Sequence, residues 1–264
     1  MAGNDCCIKR SAIILGAFML FFALWYFNIA VRPFEDSIGS SRTLHYTLNY
    51  LLAGLIPTGA LFLLHARRDI ASSMGLSHGF GTGLLFAVTA TLPMITGYAV
   101  IGEFDRELSA DEAFTWIFIA GMFEELVYRG FVFGQLFRYA RWGFLPAALL
   151  AALAFGSLHL YQGHPVSALT AFGVTALGSI FFSWLYVEWN YNLWSVIWLH
   201  TLMNLPWIVF RVSTSGAVGD IGANALRLCT IILAIGLTVA YKRKQGLPYR
   251  IQINTLITNK IQDA

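Results

Sequence analysis

Two adjacent glutamates, Glu124 and Glu125, stand inside an apolar run from 113 to 137, with Arg129 one helical turn further on. Counted from Ala113 at about 1.5 Å per residue, Glu124 lies roughly 16 Å along such a helix. A charge at that depth in hydrocarbon costs at least about 2.5–3.5 kcal/mol, and ionisable side chains placed there usually serve a site. Helix geometry separates the two acids. Glu125 and Arg129 are i,i+4 neighbours with the acid on the amino-terminal side, so the arginine keeps Glu125 ionised. Glu124 is turned about 100° away and has no base at that spacing. Desolvated beside a second negative charge, it is the one suited to accept a proton as a general base.

Two further apolar runs carry histidines. Phe155 and His159 form an i,i+4 pair at the end of 143–161, and His200 and Asn204 form another within 191–211. One intramembrane histidine is as readily a helix-to-helix hydrogen bond as a catalyst. Three polar pairs on three runs are enough to build a site if they converge. The chemistry open to the set is hydrolysis by carboxylate-activated water, zinc binding, or proton conduction along a Glu/His/Arg chain. The His-Glu-x-x-His metalloprotease motif is absent, and Ser157 has only half of a Gly-x-Ser-x-Gly elbow.

The elements that must position these residues are membrane helices. Of 264 residues, 57% are hydrophobic and only 12% charged, with a mean hydropathy of +0.64. A soluble domain carries roughly 25% charged residues, so a soluble enzyme, a disordered chain and a disulfide scaffold are excluded. Apolar runs at 11–31, 44–64, 80–101, 113–137, 143–161, 166–187, 191–211 and 221–241 are each long enough to cross roughly 30 Å of hydrocarbon as a helix. None shows the apolar/polar alternation of a membrane barrel. The expected fold is all-α: a polytopic membrane helix bundle of about eight transmembrane helices, one domain over 1–264, with a catalytic core at 113–208. The first run is expected to be a retained anchor. Ser109-Ala110-Asp111-Glu112 reads as a capping box that starts the fourth helix. Stripes of small residues (Ala148, Ala152, Gly156; Ser167, Ala171, Thr175, Ser179, Ser183) predict close helix packing.

The motif order Glu124-Glu125-x-x-x-Arg129, Phe155-x-x-x-His159, His200-x-x-x-Asn204 resembles that of the CPBP, or ABI, family over residues 113–208. That family comprises CAAX proteases and bacteriocin-processing enzymes, intramembrane endopeptidases of the glutamate type. The resemblance implies hydrolysis with no metal or other cofactor. Glu124 would activate a water that His159 helps hold, and His200 and Asn204 would donate to the oxyanion. Glu125 and Arg129 would order the site, with Arg129 also open to a peptide carboxylate. The implied partners are a peptide or membrane-anchored protein substrate and the lipid bilayer. Nucleic acid is not among them, since basic loops beside a membrane account for the net charge of +3. The rival readings are a proton-coupled transporter, for which no inverted repeat is visible, and a catalytically silent immunity or binding protein of the same fold. Retention of every motif residue argues against the latter.

Basic residues set the expected orientation. With the amino terminus inside, inner segments hold Lys9, Arg10, Arg67, Arg68, Arg138, Arg141, Lys242, Arg243, Lys244, Arg250 and Lys260, against Arg32, Arg42, Arg106, Arg211 and Arg227 outside. Both termini are therefore expected in the cytoplasm of a bacterial inner membrane, with His159 toward the outer leaflet and His200 near mid-depth. Reporter fusions test this: a fusion after Lys244 should read as cytoplasmic and one within 102–112 as external. A cytoplasmic signal from 102–112 overturns the orientation.

Overall fold

Where apolar runs recur with so little charge between them, the backbone must satisfy its own hydrogen bonds, and helices result. The computed structural model describes residues 2–160, 165–212 and 219–259, with side chains from Asp5 onward. Its long elements are α1 (Ala2–Tyr26), α2 (Arg42–Leu64), α3 (Phe80–Ile101), α4 (110–139), α5 (Phe144–Ser157), α6 (Pro165–Glu188), α7 (Leu193–Val209) and α8 (Ile221–Gln245). The all-α membrane fold is as expected; the count of eight spans is not reproduced. Five helices, α1, α2, α3, α6 and α8, are long and apolar enough to cross a membrane. With 14 and 17 residues, α5 and α7 reach only about 21 and 26 Å at 1.5 Å per residue. The run at 113–137 is not one regular helix, because π-helical turns at Thr115–Ile119 and Leu126–Phe133 interrupt α4. The end of the expected span 143–161 lies outside the described residues.

The centre of the bundle is α4, which packs against α1, α2, α5, α6 and α7. From Val127 to Phe137 every side chain is buried, as expected of a helix that is enclosed on all sides. Around it, α3 lies along α7, where a Cβ on Gly83 would come within 2.7 Å of the Ser195 nitrogen. The small-residue stripes join α5 to α6: Ala148, Ala152, Ala171, Ser179 and Ser183 are buried, and Gly156 lies against the Phe172 backbone.

Each end of the bundle is tied differently. At one end β1 (Glu103–Phe104) pairs antiparallel with β2 (Phe210–Arg211) in a two-stranded ribbon. Beside it, Ser109 caps α4 by accepting from Glu112 N at 3.1 Å, while the Glu112 carboxylate pairs with Arg42 at 2.7 Å. Asp111 fastens the start of α2, accepting from Ser41 Oγ and Arg42 N at 2.8 Å each and from Thr43 N. At the opposite end, residues 246–259 fold back as a strap. The Ile257 and Leu256 carbonyls accept from Gly143 N and Leu145 N, amides that the start of α5 leaves without helical partners. Glu188 is buried there against Lys242 and also accepts from the Arg250 and Ile251 amides. At this strap end Trp189, just past α6, donates to Thr238 of α8 at 2.9 Å and stacks on Tyr241.

The Ser41 hydroxyl, with the Thr43 and Arg42 groups behind it, holds the Asp111 carboxyl below the usual carboxylate range. A depressed value means that this clamp contributes fully above the ordinary aspartate value of 3.8 and is lost as pH falls through the lower folded value. Protection of the Arg42 and Thr43 amides, measured as exchange relative to the intrinsic rate at the same pH, should therefore stay high at pH 5–7 and fall only below about pH 4. Asp111→Asn should remove that acid response.

Candidate active site

Helix α4 brings Glu124 and Glu125 to the bundle interior in the α-helical stretch Ala120–Glu125, between its two π-helical segments. Such segments frequently mark functional sites, because each wider turn re-aims the side chains beyond it. Opposite them, α7 presents His200. Gly121 allows the approach: a Cβ there would stand 2.7 Å from Thr201 Oγ1, so a side chain would force the two helices apart one turn from the glutamates.

The polar groups form two tiers. Behind, Glu125 is fully buried, and its Oε1 accepts from Arg129 Nη1 at 2.8 Å and meets His200 Nδ1 at 2.7 Å. The Arg129 guanidinium, with its side chain 2% exposed, lies 5.0 Å from the Phe155 ring centre and 5.2 Å from that of Phe182. Glu125 Oε2 and Arg129 Nε are buried without hydrogen-bond partners among the described residues. In front, the side chains of Glu124 and His200 are 12% and 15% exposed, with Glu124 Oε2 at 3.7 Å from His200 Nε2. A bond from Nδ1–H to a carboxylate fixes the imidazole and leaves Nε2 toward the front tier.

All six expected residues line one cavity of about 920 Å³, but direct contacts join only four of them, Glu124, Glu125, Arg129 and His200. His159 Nδ1 lies 3.1 Å from the Phe155 carbonyl of its own turn. Asn204 Nδ2 donates to the Trp116 carbonyl at 2.9 Å, inside the first π-helical segment. An amide carries two N–H donors, so one remains. The suggestion that Arg129 could take a peptide carboxylate does not fit its place: rings, burial and Glu125 occupy it. The cavity extends toward the ribbon end, between the starts of α2 and α8 and the ends of α1, α5 and α7. Among the described residues, no three His, Cys, Asp or Glu side chains are grouped as metal ligands.

Two features of the site are not visible in the sequence pattern. The pairing of His200 with Glu125 is one, because contacts between helices leave no fixed spacing in the chain. The other is Arg227, which counts as a boundary charge by position yet lines the cavity from α8. Its place inside the apolar run 221–241, three residues after Asn224, is the available sign.

Residues 109–206, a little over a third of the chain, match a family described as Rce1-like, type II CAAX prenyl endopeptidase Rce1-like. The resemblance carried by the three motifs is thus shown over the segment that holds them. No curated protein and no solved structure matches the chain. The matched family is one of proteases, which supports a membrane-embedded peptide hydrolase with a peptide substrate.

The two tiers separate the glutamates experimentally. Glu125→Gln leaves Arg129 as a buried cation without its counter-ion, a change that typically costs about 3–5 kcal/mol. Thermal melting in detergent should show that loss. Glu124→Gln removes a carboxylate whose nearest basic group, His200 Nε2, stands 3.7 Å away without a direct hydrogen bond, and should melt at or above the wild-type temperature, since desolvating an amide costs less than desolvating a charge.

Proposed function

We propose that the protein is a glutamate-type intramembrane endopeptidase that hydrolyses a peptide bond of a membrane-associated protein or peptide. The observation that carries this reading is the front tier: Glu124 and His200 face each other on the wall of a 920 Å³ cavity, within the matched segment. At 3.7 Å they are too far apart for a direct hydrogen bond. The separation suits one water accepted between them.

In this reading Glu124 takes a proton from that water, and the hydroxide adds to the peptide carbonyl. His159, with Nδ1 turned to the Phe155 carbonyl, has Nε2 left to help hold the water. The oxyanion draws on the second N–H of Asn204 and on His200, whose Nε2 carries a proton when the ring is imidazolium between the two carboxylates. The proton held by Glu124 leaves with the amine as the carbon–nitrogen bond breaks. Oriented donors of this kind usually contribute more to acyl transfer than any other single effect. Glu125 and Arg129 act from behind by fixing the His200 ring. Phe155 and Phe182, packed edge-on against His200 at 6.4 and 5.7 Å between ring centres, wall this corner of the cavity.

Glu124→Gln in full-length protein, reconstituted in lipid and assayed on membrane-anchored peptide libraries, should lower turnover by roughly 10²–10⁴-fold. Cleavage at a near-normal rate would remove Glu124 as the base and the mechanism with it.

A further inference from the structure

Arg227 is a cation within the membrane-spanning helix α8, on the helix face that also carries Asn224, Leu228 and Ile231 to the cavity wall. Its guanidinium lies 3.5 Å from the Trp207 ring centre, and Nη1 is 3.4 Å from Asn224 Oδ1. Among the described residues no Asp or Glu pairs with it, whereas the buried Arg129 and Lys242 each have a carboxylate. Basic side chains inside a membrane protein nearly always meet a partner or mark a substrate path. Neutral aromatic and amide neighbours orient a guanidinium without neutralising it. Asn224 and the Tyr98 hydroxyl take only part of its five N–H donors, and a guanidinium's remaining donors suit a carboxylate.

The register along α7 gives the distance scale. His200, Asn204 and Trp207 follow at i, i+4 and i+7, so they share one helix face. At about 1.5 Å per residue, Trp207 lies roughly 10 Å from His200 along the axis toward the ribbon end. An extended peptide covers that in about three residues, at 3.3–3.4 Å each.

We propose that Arg227 is a specificity-determining residue that binds a carboxylate of the substrate peptide about three residues from the bond that is cut. The carboxylate belongs either to a free C-terminus or to an Asp or Glu side chain. This inference rests on the peptidase reading for its substrate, but the binding step can be measured without hydrolysis.

The test uses full-length Glu124→Gln protein in lipid nanodiscs and three fluorescent pools of randomised apolar octapeptides. One pool ends in a free carboxylate, one in an amide, and one in an amide with Asp three residues from the end. The free-acid pool, the Asp pool or both should be retained roughly 10- to 100-fold over the plain amide, the range of a charge-assisted hydrogen bond. Adding Arg227→Gln should erase that preference, and the pool retained identifies the source of the carboxylate. If Arg227→Gln melts early, Arg227→Met, which keeps an unbranched chain over Trp207, takes its place. Equal retention of all pools, no retention of any, or a preference that survives loss of the guanidinium overturns the proposal. So does loss of bound phosphatidylglycerol alone, which would make Arg227 a lipid-headgroup contact. A wild-type protein that binds acid pools through Arg227 but never cuts them would refute the peptidase reading and leave Arg227 as a carboxylate receptor.

Discussion

A carboxylate with no exposed surface has to be neutralised where it stands, and Glu125 is served from two helices at once. Arg129 reaches it from one turn along α4, and His200 reaches it from α7. Both use the same oxygen. The contact with Arg129 makes the charge tolerable; the contact with His200 ties the helix bearing the glutamates to the helix bearing His200 and Asn204. Coupling of this kind explains why the close approach at Gly121 and the enclosure of α4 matter. Without them the shared oxygen would sit in hydrocarbon with a single partner, a far costlier arrangement than either bond could offset alone.

The pairing of Glu125, and not Glu124, with Arg129 is legible in the sequence, because it follows from helix period. One acid has a base at i+4 and its neighbour cannot. The membrane class is equally legible, since composition alone leaves no polar shell for a soluble domain. What the chain does not display is the third dimension of the site. The Nδ1 contact of His200 to Glu125 and the Asn204 bond to the Trp116 carbonyl join residues 75 and 88 positions apart. The span count departs from expectation for a related reason. Apolar length predicts that a segment is buried but does not say whether lipid or a protein neighbour covers it, and α5 and α7 have only 14 and 17 residues. Arg227 reads as a boundary charge because a window near a span end cannot tell an interfacial arginine from one turned inward.

The two ends of the bundle do unlike work. At the strap end, Glu188, Lys242 and the backbone of 246–259 hold α6 and α8 together, and Trp189 adds a second tie. At the ribbon end the same two helices both line the cavity, Val174 and Leu177 from one and Leu228 and Ile231 from the other.

The π-helical turns of α4 also set the phase of the helix. A wide turn holds more residues than an α turn for nearly the same rise, so each is equivalent to an inserted amino acid that the helix has absorbed instead of expelling as a loop. Each extra residue turns everything downstream by about 100° relative to an unbroken α-helix. The stretch Thr115–Ile119 precedes the glutamates and Leu126–Phe133 follows them, so the acids are out of phase with both flanks. The helix can therefore anchor at the ribbon end by one face and show its carboxylates to the cavity by another, before its far end is enclosed on all sides. A chain one residue shorter in Thr115–Ile119 would keep every motif letter and lose the phase that makes them meet.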